Sequence, residues 1–267
     1  MAGSLVDRTL GVLELLATQA GGARLQTIAD RLAMPKSGAH RLLAELARCG
    51  YVTQDADTER YLPTTKLALL GLRQLATSGV VDAAQPVLDR LARASGELVR
   101  LAVADQGRLF YVGKAQGARS ALRYDPETGG EVVLFCTANG HAWLAALDDA
   151  QALELVGRQG FGGPGMACGP EAPRSVPDLL ACLARTRARG WSMVVEASAP
   201  GTAAMAAVVR GTGDGRPLAV VSIAGPSVRL TEVVMQALAP ELLAAAADLA
   251  LARPMSDYLR AVARPTR

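Results

Sequence analysis

Lys36, Ser37, His40 and Arg41 lie within one short segment, PKSGAHRLLAELAR. At 3.6 residues per turn they share one side of a helix, which Ala44 and Arg48 extend, while Ala39, Leu42, Leu43 and Leu46 form the other side. Lys36 and Ser37, in the first turn, can donate to phosphate, assisted by the unpaired amides of the helix start. His40 and Arg41, one turn further in, can reach base edges in a major groove, where a bidentate arginine–guanine contact gives about 1–3 kcal/mol of discrimination. From Arg31 to Arg48 four cations stand against one anion, Glu45. A plain amphipathic surface helix with a solvated basic face fits the same pattern, so the neighbouring elements must decide.

Those neighbours supply the parts such a helix needs. Residues 25–32 read as a supporting helix, separated from 35–49 by Ala33 and Met34, with Pro35 suited to the first helical position and Gly50 to the exit. Ala29 is small enough for close approach, and Ile28, Leu32, Leu42 and Leu46 fill the space between the two. Strand-like runs at 51–54 and 60–62 bracket the turn-rich DADTE, a hairpin that would form a wing. Its tip is acidic, which leaves Arg60 as the credible phosphate contact there. Upstream, 4–20 carries two apolar stripes, Val6, Leu10, Leu13, Ala17 and Ala20 beside Leu5, Thr9, Val12 and Leu16, one for its own domain and one for a partner subunit.

Downstream, 64–77 reads as a connecting helix broken near Ser78 and Gly79, followed by a helix at 81–94. This divides the chain into a DNA-binding domain (1–63), a linker helix (64–79) and a larger domain (80–267). In the last, strands at 98–104 and 109–114 are joined by DQGR, and strands at 203–210 and 218–224 by GTGDGR with its Asp-Gly turn. Residues 120–124 and 191–196 add two strand candidates. Helices are expected at 138–147, 149–156, 176–189 and 231–251. Hairpins mixed with helix pairs give an α+β fold whose antiparallel sheet is flanked by helices.

Composition excludes several classes. The 267 residues carry 28 basic and 25 acidic side chains, a net charge of +3, with half the residues apolar, which is a globular chain and no charged tail. Four scattered cysteines without a C-x-x-C pair, and two histidines, argue against structural zinc, and no cofactor is indicated. The start MAGSLVDRTL has no signal-peptide pattern, and no run of about 18 uncharged apolar residues occurs, so a cytoplasmic protein with reduced thiols and no membrane partner is expected. GFGGPG matches G-x-G-x-x-G through Gly160, Gly162 and Gly165 but follows a helix and opens none, which fails the dinucleotide context. A Ser-His-Asp hydrolase would have to use His40 or His141, and G-x-S-x-G is absent, so no enzyme is expected. Cys136 near a helix start reads as a buried structural thiol ahead of a reactive one.

Taken in order, Pro35-Lys36-Ser37-Gly38, Arg41-Leu42-Leu43 with Leu46, Gly50-Tyr51-Val52, Asp55 and Tyr61-Leu62 resemble the winged helix-turn-helix of the IclR family of bacterial transcription regulators. The likeness continues through LAVADQGRLFYVGKAQG, LFCTANGHAWLAAL, RARGW, EASAPGTAAMAAVV and AVVSIAGP, and so covers nearly the whole chain. Three departures stand out: Gly38 for the usual threonine, Pro63-Thr64-Thr65 for the usual leucine-glycine exit of the wing, and His141 for the usual lysine. The resemblance implies a double-stranded DNA operator read by a homodimer, often assembled into tetramers. The DNA-facing set is then Gln26, Lys36, Ser37, Gly38, His40, Arg41 and Arg60. It also implies a GAF-like C-terminal domain that holds a small-molecule effector near residue 138, lined by Leu122, Tyr124, Val132, Leu134, Ala138, Asn139, Val194, Thr202, Ala204, Ser222 and Ala224. The effector would set operator affinity through the linker helix.

The mostly apolar character of those positions suits a small organic or aromatic acid, whose carboxylate can accept from the free amides after Thr137. No lysine or arginine is among them, and Arg123 points away from Leu122 and Tyr124 in a regular strand, so a buried arginine clamp is not expected. The alternative is a ligand-binding or protein-interaction module whose winged helix contacts a protein instead of DNA.

Overall fold

Ser4 opens the chain's first helix with a capping box: its hydroxyl accepts from the Asp7 amide at 3.1 Å, and the Asp7 carboxylate accepts from the Ser4 amide at 2.7 Å. The structure, a computed structural model, describes residues 4–120, 122–125, 130–162, 168–213 and 215–252. It divides into two units, Met1–Thr77 and Ser78–Arg267.

In the first unit α1 (Leu5–Ala17) precedes α2 (Leu25–Arg31), α3 (Lys36–Arg48) and the hairpin β1 (Val52–Gln54) and β2 (Tyr61–Pro63). The hairpin pairs Val52 with Pro63 and Gln54 with Tyr61, and Tyr61 also bridges Ala23. Pro35 is the N-cap of α3, one position earlier than its expected place. Ile28, Ala29, Ala39, Leu42, Leu43 and Leu46 are buried with Val12 and Leu16 of α1, and full burial of each leucine contributes about 1.5–3 kcal/mol. Of the stripe Leu5, Thr9, Val12 and Leu16, only Val12 and Leu16 are buried; Leu5 is exposed, as are Val6 and Leu10 of the other stripe. The helix ends at Ala17, short of Ala20, because its last turn closes on Thr18 and Gln19.

α4 (Thr65–Ser78) buries none of its residues, and Gly79, in the left-handed region at φ 63°, separates it from α5 (Val80–Ser95). The second unit is built on an antiparallel sheet of β3 (Leu98–Asp105), β4 (Arg108–Gln116), β5 (Ser192–Val195), β6 (Thr202–Arg210) and β7 (Pro217–Pro226), in the order β4-β3-β7-β6-β5. Alternation along each strand gives the sheet two faces. Val99, Leu101, Val103, Met205 and Val221 meet α5 and α9 (Glu232–Leu251). Ala102, Ala104, Ala204, Ala206 and Val220 meet α6 (Ala138–Ala145), α7 (Asp149–Gln159) and α8 (Val176–Arg189). By length and composition α9 could cross a membrane; here Met235, Leu242, Ala245 and Leu249 lie in the core under the sheet, and Asp248 pairs with Arg90 of α5. The fold is α+β.

One expected strand is missing. Among the described residues of 120–124 there is no ladder; side chains satisfy the backbone instead. Gln116 donates to the Tyr124 carbonyl at 3.1 Å, and Arg229 and Ser120 both donate to the Leu122 carbonyl at 2.9 Å. Arg229 also forks onto the buried Glu97 carboxylate at 2.6 and 3.0 Å. A Cβ on Gly225 would come within 2.5 Å of that carboxylate, so the bare backbone there leaves Glu97 its room. Ala121, Gly165 of the glycine-rich segment and Asp214 of the β6–β7 turn lie outside the described residues.

Candidate functional site

α3 has a sharp division of faces. Its underside is in the core, while Lys36, Ser37, His40, Arg41 and Arg48 are exposed and Gly38 is half-buried. A Cβ at position 38 would meet nothing closer than the Met34 methyl at 3.8 Å, an ordinary contact. Arg48 is engaged by Glu45 through its Nε at 3.0 and 3.1 Å, which takes one cation from the excess on this face. Lys36 and Arg41 remain the basic groups at the N-terminal half of α3, where the helix dipole also favours anions. Gln26, exposed on α2, donates to Asp30 at 2.8 Å.

Arg60, the expected phosphate contact of the wing, has a partner within its own domain. It is half-buried, and its Nη1 donates to the Gly22 carbonyl at 3.0 Å. Gly22 lies in the α1–α2 turn, so this bond ties the hairpin to its own domain.

In the second unit, Val132, Leu134, Ala138, Val194, Ala204 and Ala224 fall in a single buried cluster with Tyr124 packed against it. Asn139 and Ser222 are buried and Thr202 is half-buried. Leu122 departs from the set: it is 60% exposed, because the Arg229 bond holds its backbone in a bend. At the start of α6 the Thr137 hydroxyl already accepts the Gly140 amide at 3.0 Å, so this amide is not available to a carboxylate.

The set implied by the resemblance contains no arginine, yet one is buried on the same side of the sheet. Arg100 of β3 is 6% exposed and shares its strand face with Ala102 and Ala104, the face turned to α6. Its guanidinium carbon lies 3.1 Å from the centroid of the Tyr111 ring, and burial lowers its pKa. Burial also pushes Tyr111 up to about 12, and its hydroxyl approaches Asn139 Oδ1 at 3.5 Å. The Nδ2 of Asn139 is buried without a hydrogen-bond partner.

The sequence comparisons agree with this two-part arrangement. The IclR helix-turn-helix domain model matches residues 5–56, and the model for the C-terminal domain of the bacterial transcriptional regulator IclR matches residues 72–251. The chain belongs to the IclR family. It is 28% identical over 243 residues to the Pca regulon regulatory protein of Pseudomonas putida, covering 91% of this chain and 81% of that one. It is also 28% identical over 249 residues to the transcriptional repressor IclR of Escherichia coli K12, covering 92% and 89%. Among solved structures, the IclR regulator of Alicyclobacillus acidocaldarius has a TM-score of 0.79 at 22% identity, covering 92% of this chain and 97% of that one. An IclR homologue of Microbacterium hydrocarbonoxydans, complexed with 4-hydroxybenzoate, has a TM-score of 0.75 at 20% identity, covering 97% and 100%. The protein is thus an IclR-type transcriptional regulator with a helix-turn-helix and a C-terminal effector domain.

His141, a departure from the family pattern, and Cys136, the thiol beside the start of α6, both have structural roles here. His141 is buried, and its Nε2 lies 2.7 Å from the Phe135 carbonyl; burial holds the imidazole below its ordinary range against the pull of that bond. Cys136 is buried, and burial, with Cys168 as a lesser cause, pushes its thiol up to about 12. The nucleophilic thiolate is therefore absent at neutral pH. Iodoacetamide at about pH 8 is expected to label the exposed Cys49 and Cys168 and to spare Cys136 until denaturant is added, as read by mass spectrometry. Labelling of Cys136 in the native protein would show an open, ionisable thiol and contradict this burial.

Proposed function

We propose that the protein is a sequence-specific DNA-binding regulator, acting as a dimer, whose operator affinity is modulated by a small organic or aromatic acid in its C-terminal domain. The observation that carries the reading is the division of α3: an apolar underside fixed in the core and a face bearing Lys36, Ser37, His40 and Arg41 open to solvent. With Gln26 and Gly38 these form the proposed DNA-facing set. Residues 1–63 would bind DNA, 64–79 connect, and 80–267 bind effector. A single helix-turn-helix reads only a few base pairs, so pairing across a two-fold axis supplies the second half-site. The exposed Leu5, Val6 and Leu10 of α1 offer an apolar seam for that second copy. For the effector, the apolar buried face with a few polar anchors fits a small acid, and the solved relative holding 4-hydroxybenzoate supports the class. Control of DNA binding requires the acid to bind two states of the protein with different affinity.

The test is fluorescence anisotropy on a duplex taken from upstream of the protein's own gene. The logarithm of the association constant is expected to fall linearly with the logarithm of salt concentration, with a slope of about −0.9 per phosphate neutralised. A flat response, or no retention at low salt, would assign the winged helix to a protein partner instead.

A further inference from the structure

Arg100 lies on a strand flanked on both sides, β4 and β7, and faces the cluster that contains Ala138, Ala204 and Ala224. Its direct cross-strand neighbours are Ser222 on β7 and Lys114 on β4. Two cations opposite each other on one sheet face repel. Asp125 answers part of that charge, but it is shared: Lys114 reaches it at 3.0 Å and Arg123 at 3.7 Å. Asp125 thus pairs with two cations and also feels the charge of Arg100, an excess of positive charge that makes this end of the face attractive to an anion. The Arg100 guanidinium lies over the Tyr111 ring, and a planar guanidinium with five N–H donors is the side chain best suited to a carboxylate. Beside it, bridged by Tyr111, the buried Asn139 Nδ2 is a donor with no acceptor. Buried donors of this kind call for an explanation, and a ligand oxygen is the acceptor that this set of groups suits.

We propose that Arg100, braced on Tyr111, is the specificity-determining residue of the effector site: it takes the carboxylate of a small organic acid, with Asn139 donating a second hydrogen bond. The acid's apolar body then lies against the alanine- and valine-rich part of the same face. This moves the anion-binding role from the start of α6, where Thr137 already occupies the Gly140 amide, to the sheet. The inference rests on the reading of this face as the effector site.

Matched acid and amide pairs test it on the full-length protein: benzoate and benzamide, 4-hydroxybenzoate and 4-hydroxybenzamide, pyruvate and pyruvamide, by thermal shift and titration calorimetry. At least one acid is expected to raise the melting temperature while its amide does not. Arg100→Met is expected to weaken that acid by roughly tenfold or more, and Arg100→Lys, which keeps charge without the fork, by less. Both variants should retain the far-UV circular dichroism of the parent. An acid that binds Arg100→Met as tightly as the parent overturns the proposal, as does an amide that matches its acid, or silence across all three acids. The acid–amide comparison uses the unaltered chain, so it decides the matter even if the variants misfold. Failure of the regulatory reading looks different. An acid that needs Arg100 yet leaves DNA affinity unchanged keeps this inference and removes effector control. An acid that releases DNA equally from parent and Arg100→Met does the reverse.

Discussion

Arg41→Ala is expected to erase much of the preference for the operator over a scrambled duplex, while Lys36→Ala weakens both alike. The two residues are exposed on the same face of α3 but a turn apart. Arg41 stands where a major-groove base edge would lie, and loss of a bidentate guanine contact costs about 1–3 kcal/mol, or roughly 5- to 150-fold, on the matched sequence alone. Lys36, in the first turn, is placed for phosphate, so its removal should also reduce the salt slope by about 0.9. Anisotropy titrations of both duplexes over a salt series separate the outcomes. The reverse pattern, with Lys36 governing discrimination, would mean that the helix enters the groove in the other direction.

The second large effect concerns the C-terminal unit. A Cβ on Gly140 would meet the Leu134 carbonyl oxygen at 2.1 Å and the Leu134 Cα at 2.5 Å, and both are backbone. The first turn of α6 would have to part from the 134–136 segment, which carries the His141 bond to the Phe135 carbonyl. Gly140→Ala is therefore expected to cost at least about 1–3 kcal/mol, a fall of about 2–12 °C in melting temperature for a unit of this size. Loss of acid-induced stabilisation should accompany it, since Ala138 and Asn139 lie in that turn. Gly157→Ala is the control. It sits inside α7 with open space around it, and should raise stability by up to about 1 kcal/mol. Differential scanning calorimetry reads both signs; an unchanged melting temperature for Gly140→Ala would refute the close packing at Leu134.

The winged helix-turn-helix was legible because its signals are local. Pro35, Gly50, the small Ala29 and the 3.6-residue leucine spacing each act within a few positions, and the structure returned the elements with shifts of one to three residues. The hairpins β3–β4 and β6–β7 were legible for the same reason. The pairing of β3 with β7, which sets Leu98 beside Ala224, was not, since nothing in either strand names its distant partner. Residues 120–124 misled because their alternation suits a strand while the deciding bonds come from Gln116 and Arg229. The tie of Arg60 to a carbonyl thirty-eight residues away was equally illegible, since its partner is distant in sequence. Arg100 is not among the positions that the resemblance implies. A signal existed: Arg100 is the one cation in LVRLAVA, a run apolar on both faces, and a strand buried on both sides has no solvent to send a guanidinium into.

The tie between Glu97, Gly225 and Arg229 constrains how this sequence can change over generations. Loss of the arginine strands a carboxylate that is only 4% exposed, and gain of any side chain at 225 evicts it. Replacing Glu97 alone leaves Arg229 without the anion that orients it toward the Leu122 carbonyl. The three codons, spread across 133 positions, are therefore expected to drift as one inherited unit, with intermediates that hold only part of the set purged in each lineage.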